Sequence, residues 1–270
     1  MTITVRLFAA ACVVYLLLCA AMFAFQRRLQ YHPDPGTMNP AAAGLAQAVQ
    51  ETLATPDGER IVVWWVAPRA AGKPVYLYLH GNGAHLHARA LRLAKLVEDG
   101  AGLMAVSWRG YGGSTGSPSE AGLLTDARTA HAELRRRAPE APLVIYGESL
   151  GTTVATMLAA ETQPAGVLLD SSFASALAVA RDAYPWLPVA LLLRDTFRAD
   201  LAAPRVRAPV LQVHCRLDPV TPFAQAEALG ALFPGRRELV VVDRACHVPS
   251  LLDYAPAWRR FVESGLSRSP

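Results

Sequence analysis

LVIYGESLGTTV, residues 143–154, is the stretch whose reading decides the fold. Its first four residues are aliphatic or aromatic and read as a short buried strand. They run into Gly147, Glu148, Ser149, Leu150 and Gly151, and an apolar pattern of helical spacing follows over 150–161. Two glycines without Cβ atoms let the chain turn tightly and press helix against strand. Ser149 between them is held in a strained conformation with its hydroxyl above the sheet. A serine hydroxyl is a weak nucleophile alone and needs a base within hydrogen-bond reach.

Outward from this turn, short apolar runs at 61–66, 75–79, 103–106, 166–169, 210–213 and 239–242 are bounded by Gly, Pro or charge and read as further strands. Amphipathic stretches at 85–97, 119–137, 223–232 and 254–262 read as helices, the second of them opened by Ser117 as N-cap, Pro118 and Glu120. Strands alternating with helices predict an α/β fold with a mostly parallel sheet covered on both faces, and ligands bind beyond the carboxyl ends of its strands. One interval breaks the rhythm. Residues 171–207 separate two strands and include the apolar run YPWLPVALLL (184–193), where Pro185 and Pro188 forbid one long helix.

The base expected for Ser149 is His247, just after the last apolar run, since an imidazole titrates near neutral pH and can take and return a proton. Asp218, in the loop after the preceding strand, would fix the imidazole tautomer, with Asp170 at the end of the strand before the insertion as its rival. The chain order Ser149, Asp218, His247 suits this assignment. Hydrogen-bond donors for a tetrahedral oxyanion are expected from the backbone N–H groups of Asn82, in the turn His80-Gly81-Asn82-Gly83, and Leu150.

At these residues the chain resembles the α/β-hydrolase superfamily, and within it the membrane-anchored Bem46-like group and the ABHD13- and ABHD17-type hydrolases. The similarity runs through QRRLQYHP (26–33), LHGN (79–82), RGYGGSTGSPSE (109–120), GESLG (147–151) and the segments around Asp218 and His247. It implies an α/β-hydrolase fold with 171–207 as a small lid. It also implies a serine hydrolase of carboxylic esters or thioesters working through an acyl-enzyme, with Ser149, Asp218 and His247 as the triad. A peptidase on the same residues and a non-catalytic binding module are the alternatives.

Residues 7–25 carry no charge and are flanked by Arg6 and by Arg27 with Arg28, so 1–30 are expected to form a single-pass membrane anchor, with a cleaved signal peptide as the alternative, and 31–270 the hydrolase domain. Which side of the membrane that domain faces stays open. Of the 26 basic residues three lie in the first 30, leaving 23 against 22 acidic ones, a balance with no electrostatic footprint for nucleic acid. The expected partner is a small-molecule or lipid-like acyl substrate, with no cofactor. The glycine-rich run 110–116 lacks nucleotide-loop spacing and reads as a tight loop beside the site. His85 and His87 read as loop histidines, with no metal. Cys215 and Cys246 end late strands on one edge, where two buried thiols are the simpler expectation and a disulfide the alternative.

Overall fold

The computed structural model describes residues 2–83 and 85–266, so Met1, Ala84 and 267–270 of the expected segments lie outside the described residues. The helix α1 (Ile3–Gln30) precedes a strand β1 (Val49–Ala54), β2 (Arg60–Val66) and β3 (Val75–Leu79). A 3-10 turn (Leu86–Arg89) leads into α2 (Ala90–Leu96), followed by β4 (Gly102–Ser107), α3 (Glu120–Arg137), β5 (Leu143–Glu148), α4 (Leu150–Thr162) and β6 (Gly166–Asp170). The insertion holds α5 (Ala176–Ala183), α6 (Val189–Leu192) and α7 (Ala199–Ala202). After it come β7 (Val210–Cys215), α8 (Phe223–Gly230), β8 (Arg237–Val242) and α9 (Ala255–Arg260).

These strands form one eight-stranded sheet in the order β1-β2-β4-β3-β5-β6-β7-β8. The pairs β1 with β2 and β2 with β4 are antiparallel, and all the others are parallel. Alternation along β3 shows why both faces are covered. Val75, Leu77 and Leu79 join a core with Leu123, Leu134 and Val154 of α3 and α4. Tyr76 and Tyr78 point into the opposite core, against Leu93 of α2 and Trp258 of α9.

β1 went unread because VQETLA has no apolar run: it is an edge strand, exposed or half-buried throughout. The start of α3 also differs from the sequence reading. Ser119, rather than Ser117, caps the helix, accepting from the Gly122 N–H at 3.1 Å. Glu120 does not fold back onto the cap. Its carboxylate accepts from the Phe197 N–H at 2.9 Å and so fastens the insertion to the helix start.

The helix α1 is long and apolar enough to cross a membrane and is almost wholly exposed along its length. Its last turns are not free. The Gln26 side chain donates to the Leu192 carbonyl at 2.9 Å and accepts from the Arg194 N–H at 2.7 Å. Arg27 pairs with Asp195 through contacts of 2.7 and 3.1 Å, and the Gln30 amide donates to the Asp195 carbonyl at 2.9 Å.

At the other edge the expectation of two thiols is overturned. Cys215 and Cys246 form a disulfide across a Cα separation of 5.6 Å, because β7 and β8 run in register up to Cys215 and Val242 and bring the two loop starts together. The bridge closes a sequence separation of 31 residues. The double variant Cys215→Ser/Cys246→Ser is expected to lose about 3–4 kcal/mol of stability through the freed unfolded chain. Chemical denaturation in detergent checks this, and an unchanged midpoint contradicts it.

Candidate active site

Parallel registration aligns the carboxyl ends of the central strands. Leu79 pairs with Gly147, and Glu148 with Asp170, so the turns after β3, β5 and β6 lie side by side. A Cβ on Gly151 would run into the Leu79 and His80 carbonyls, and one on Gly147 would sit 2.5 Å from Thr152 Cα. Only glycine permits this approach of helix to strand. Ser149 between them adopts φ 49° and ψ −118°, a left-handed backbone that costs a non-glycine residue roughly 1–3 kcal/mol. The conformation is held by its N–H donating to the Asp170 carbonyl at 2.8 Å. Its own carbonyl accepts from the Thr152 N–H at 2.8 Å and the Thr152 hydroxyl at 2.6 Å.

His247, in the loop after β8, places Nε2 2.8 Å from Ser149 Oγ and Nδ1 2.9 and 3.1 Å from the two carboxylate oxygens of Asp218. The sequence separations bridged are 98 and 29 residues. The Asp218 carboxylate is fully shielded from solvent, while the imidazole remains partly open. Burial pushes the Asp218 carboxyl up. The hydrogen bond from His247 and those from the Thr221 and Val220 N–H groups outweigh it and hold the group below the ordinary carboxylate range. The Thr221 hydroxyl adds a bond of 2.9 Å.

The rival acid, Asp170, is committed elsewhere. It is completely buried and takes Arg92 Nη1 at 2.6 Å together with the Tyr146 and Tyr254 hydroxyls. Burial pushes its carboxyl up to about 6 even against the guanidinium. The other guanidinium nitrogen of Arg92 donates to the Pro249 carbonyl at 2.5 Å, two residues beyond His247. Beside this pair, Arg89 meets the buried Glu148 at 2.6 Å. Two ion pairs thus lie under the turn, and no sequence motif announced them.

Asn82 lines the same cavity as Ser149 and Leu150. Leu150 opens α4, so its N–H is one of the helix-terminal donors with no intrahelical acceptor. The Asn82 carbonyl accepts from the Tyr111 hydroxyl at 2.8 Å, and its side-chain oxygen from the same hydroxyl at 3.1 Å. Its side-chain amide donates to the Gln30 carbonyl of α1. The glycine-rich loop therefore lies beside the site, as its spacing suggested, and Tyr111 is its working contact. His80 locks the preceding turn. Its Nδ1 lies 2.6 Å from the Gly81 carbonyl and its Nε2 accepts from the Trp108 N–H at 3.3 Å, which sets a neutral tautomer. Burial, then the nearby Arg89, push its pKa down to about 3.

A cavity of about 460 Å³ opens over Ser149. Its walls are mostly apolar and come from three places: Met22, Gln26, Leu29 and Gln30 of α1, Phe173 to Leu193 of the insertion, and Val220 with Thr221. That size lies within the range of small-molecule sites. The helix α1 was expected only as an anchor, and its contribution to the wall was not legible in its composition. Among the described residues, one set of donors sits close enough to share a cation: Asp34, His85 and His87, with ligand atoms within 4.8 Å of one another. The carboxylate that the sequence reading did not find beside the two histidines is Asp34, brought in from 51 residues upstream of His85.

With fold and geometry described, the similarities are specific. A family model for serine aminopeptidase, S33, matches residues 71–198. An uncharacterized protein of Mycobacterium tuberculosis is 35% identical over 244 residues, covering 88% of this chain and 87% of that one. A zebrafish (Danio rerio) lysophosphatidylserine lipase, ABHD12, is 32% identical over 186 residues, covering 62% of this chain and 49% of the lipase. Among solved structures, the Pyrococcus furiosus esterase Pf2001 superposes with a TM-score of 0.69 at 19% identity, over 86% of this chain and 97% of the esterase. The chain belongs to the α/β-hydrolase superfamily.

The low pKa of His80 has a measurable consequence. The unfolded imidazole binds a proton below about 6.5 and the folded one does not until about 3, so the stability it supports is present above 6.5 and lost as pH falls through that window. Wild type is expected to lose up to about 1.4 kcal/mol per pH unit between 6.5 and 4. Denaturation midpoints across that range should show this slope reduced in His80→Gln. Parallel slopes for the two proteins would contradict it.

Proposed function

We propose that the protein is a membrane-anchored serine hydrolase of carboxylic esters or thioesters. The observation that carries this reading is the hydrogen-bonded row Asp218, His247, Ser149, opening into an apolar cavity. Ser149 Oγ attacks the acyl carbonyl carbon while His247 Nε2 takes its proton. The oxyanion is met by the N–H groups of Asn82 and Leu150. The C–O or C–S bond then breaks, and the imidazolium returns the proton to the departing alcohol or thiol. Water, deprotonated by the same imidazole, attacks the acyl-enzyme and releases a carboxylic acid and free Ser149. Asp218, ionised throughout, stabilises the imidazolium. The segment 1–30 serves as the anchor and 171–207 as the lid.

The aminopeptidase name of the matched family model gives a second reading. Such a substrate carries a free ammonium that needs an acidic partner. None of the described residues lining the cavity is Asp or Glu. The apolar walls favour an acyl chain, in keeping with the lipase named among the relatives.

A fluorophosphonate probe is expected to label wild type and not Ser149→Ala. Turnover of p-nitrophenyl esters should fall roughly 10⁴- to 10⁶-fold in Ser149→Ala and about 10⁴-fold in Asp218→Asn. Aminoacyl p-nitroanilides should be poor substrates for wild type. Undiminished labelling of Ser149→Ala removes the nucleophile assignment, and faster cleavage of the anilides than of the esters replaces the esterase reading with the peptidase one.

A further inference from the structure

Building on the acyl-ester reading above, we infer that lid residues 184–193 form a second membrane-inserted element, packed against α1 in the hydrocarbon layer. An acyl chain resident in the bilayer then reaches Ser149 sideways, between α1 and the lid. The contacts between the two elements follow one another in parallel order. Asp195 meets Arg27 and Gln30. The neighbouring Gln26 meets Leu192 and Arg194, and one turn before Arg27 the Phe23 ring lies 4.1 Å beneath the Arg194 guanidinium. Further still, the Trp186 carbonyl accepts from the Tyr15 hydroxyl at 3.1 Å.

Each step back along the lid therefore runs farther down α1, away from Arg27 and Arg28. Phe25 to Tyr15 is ten residues, about 15 Å of helix rise, half the hydrocarbon thickness of a bilayer. If α1 spans the membrane, the lid beside it shares its leaflet. Its composition suits that position. No residue from 183 to 193 is charged, while Arg181 and Asp182 on one side and Arg194 and Asp195 on the other frame the run. Trp186 and Leu191 are 54% and 84% exposed, large apolar side chains turned outward where a water-facing lid would place polar ones.

The polar groups of α1 within this stretch make the same point. Hydrocarbon leaves no water to satisfy a free backbone group. Both ends of the Gln26 amide are used on the lid backbone, and the Tyr15 hydroxyl covers the Trp186 carbonyl. Glutamine and tyrosine in an otherwise apolar helix thus serve the irregular backbone of their neighbour. Met22 and Leu29 of α1 and Leu187 and Val189 of the lid line the same cavity as Ser149.

The test uses the full chain in phosphatidylcholine vesicles. Of its five tryptophans, Trp64, Trp108 and Trp258 are buried in the domain and Trp65 lies beneath Arg137, whereas Trp186 stands on the exposed lid face. In vesicles of lipid brominated at mid-chain, wild-type emission should fall relative to plain vesicles, and Trp186→Phe should abolish that difference. Equal emission in the two vesicle types overturns the insertion. Leu191→Asp, outside the cavity wall, should lower turnover of a long-chain ester carried in the vesicles roughly tenfold or more and leave dissolved p-nitrophenyl acetate unaffected. An unchanged ratio of the two rates overturns the sideways route. Fluorophosphonate labelling of the same vesicles separates the two ideas: a protein that shows bromolipid quenching but takes no label loses the serine chemistry and keeps the inserted lid.

Discussion

The fold turns on one close approach, that of the α4 backbone to the β3 carbonyls at Gly151. Because no Cβ intervenes, helix and strand meet at the end of β5, and Ser149 is left in a backbone conformation that neither element would supply. The register of β3 against β5 then sets Asn82 beside it, and the register of β7 against β8 brings the loops of Asp218 and His247 to the same edge. The geometry of the site follows from strand alignment and does not need long loops reaching across the molecule. What the loops add is fixation: Thr221 on Asp218, Arg92 on the His247 loop, Tyr111 on Asn82.

Charge under the site has a cost and a use. Glu148 and Asp170 sit in full burial, where an unpaired carboxylate is untenable, and each is met by an arginine from the start of the α2 region. Burial raises both carboxyls. For Glu148 the opposing Arg89 wins and holds it low, whereas for Asp170 burial prevails. Burial, joined by Arg89 of this layer, makes His80 harder to protonate and keeps its neutral tautomer in the turn that carries Asn82. A buried ionic layer thus fixes loop positions through directional bonds that apolar packing alone does not provide.

The parts of this arrangement that the sequence disclosed are those with a period or a punctuation. The interior strands were legible as apolar runs bounded by breakers, and the turn at 147–151 by its two glycines. Ser149, Asp218 and His247 were singled out because each lies shortly after a strand, and the structure brings them within hydrogen-bond distance. β1 escaped because an edge strand buries too little to show alternation. The cap of α3 was misplaced by two residues because Ser117 and Ser119 both suit an N-cap, and Glu120 is used on the Phe197 N–H of the insertion instead of on the cap. The disulfide and the Asp34 contact with His85 join distant segments, and pairing of that kind leaves no local trace. The role of α1 in the cavity wall was hidden for a different reason, since the apolar residues that suit lipid also suit a pocket.

Asp195 sits at the junction of three parts. Its carboxylate takes both Arg27 and the Glu120 N–H, and its carbonyl takes Gln30. Any rigid-body displacement of the insertion must therefore first undo a two-pronged clasp to α1. The arginine side of that clasp is half open to solvent, where such pairs are weak, so the fastening behaves as a releasable catch. Because both elements wall the cavity over Ser149, the position of α1 and the width of that cavity are linked through Asp195.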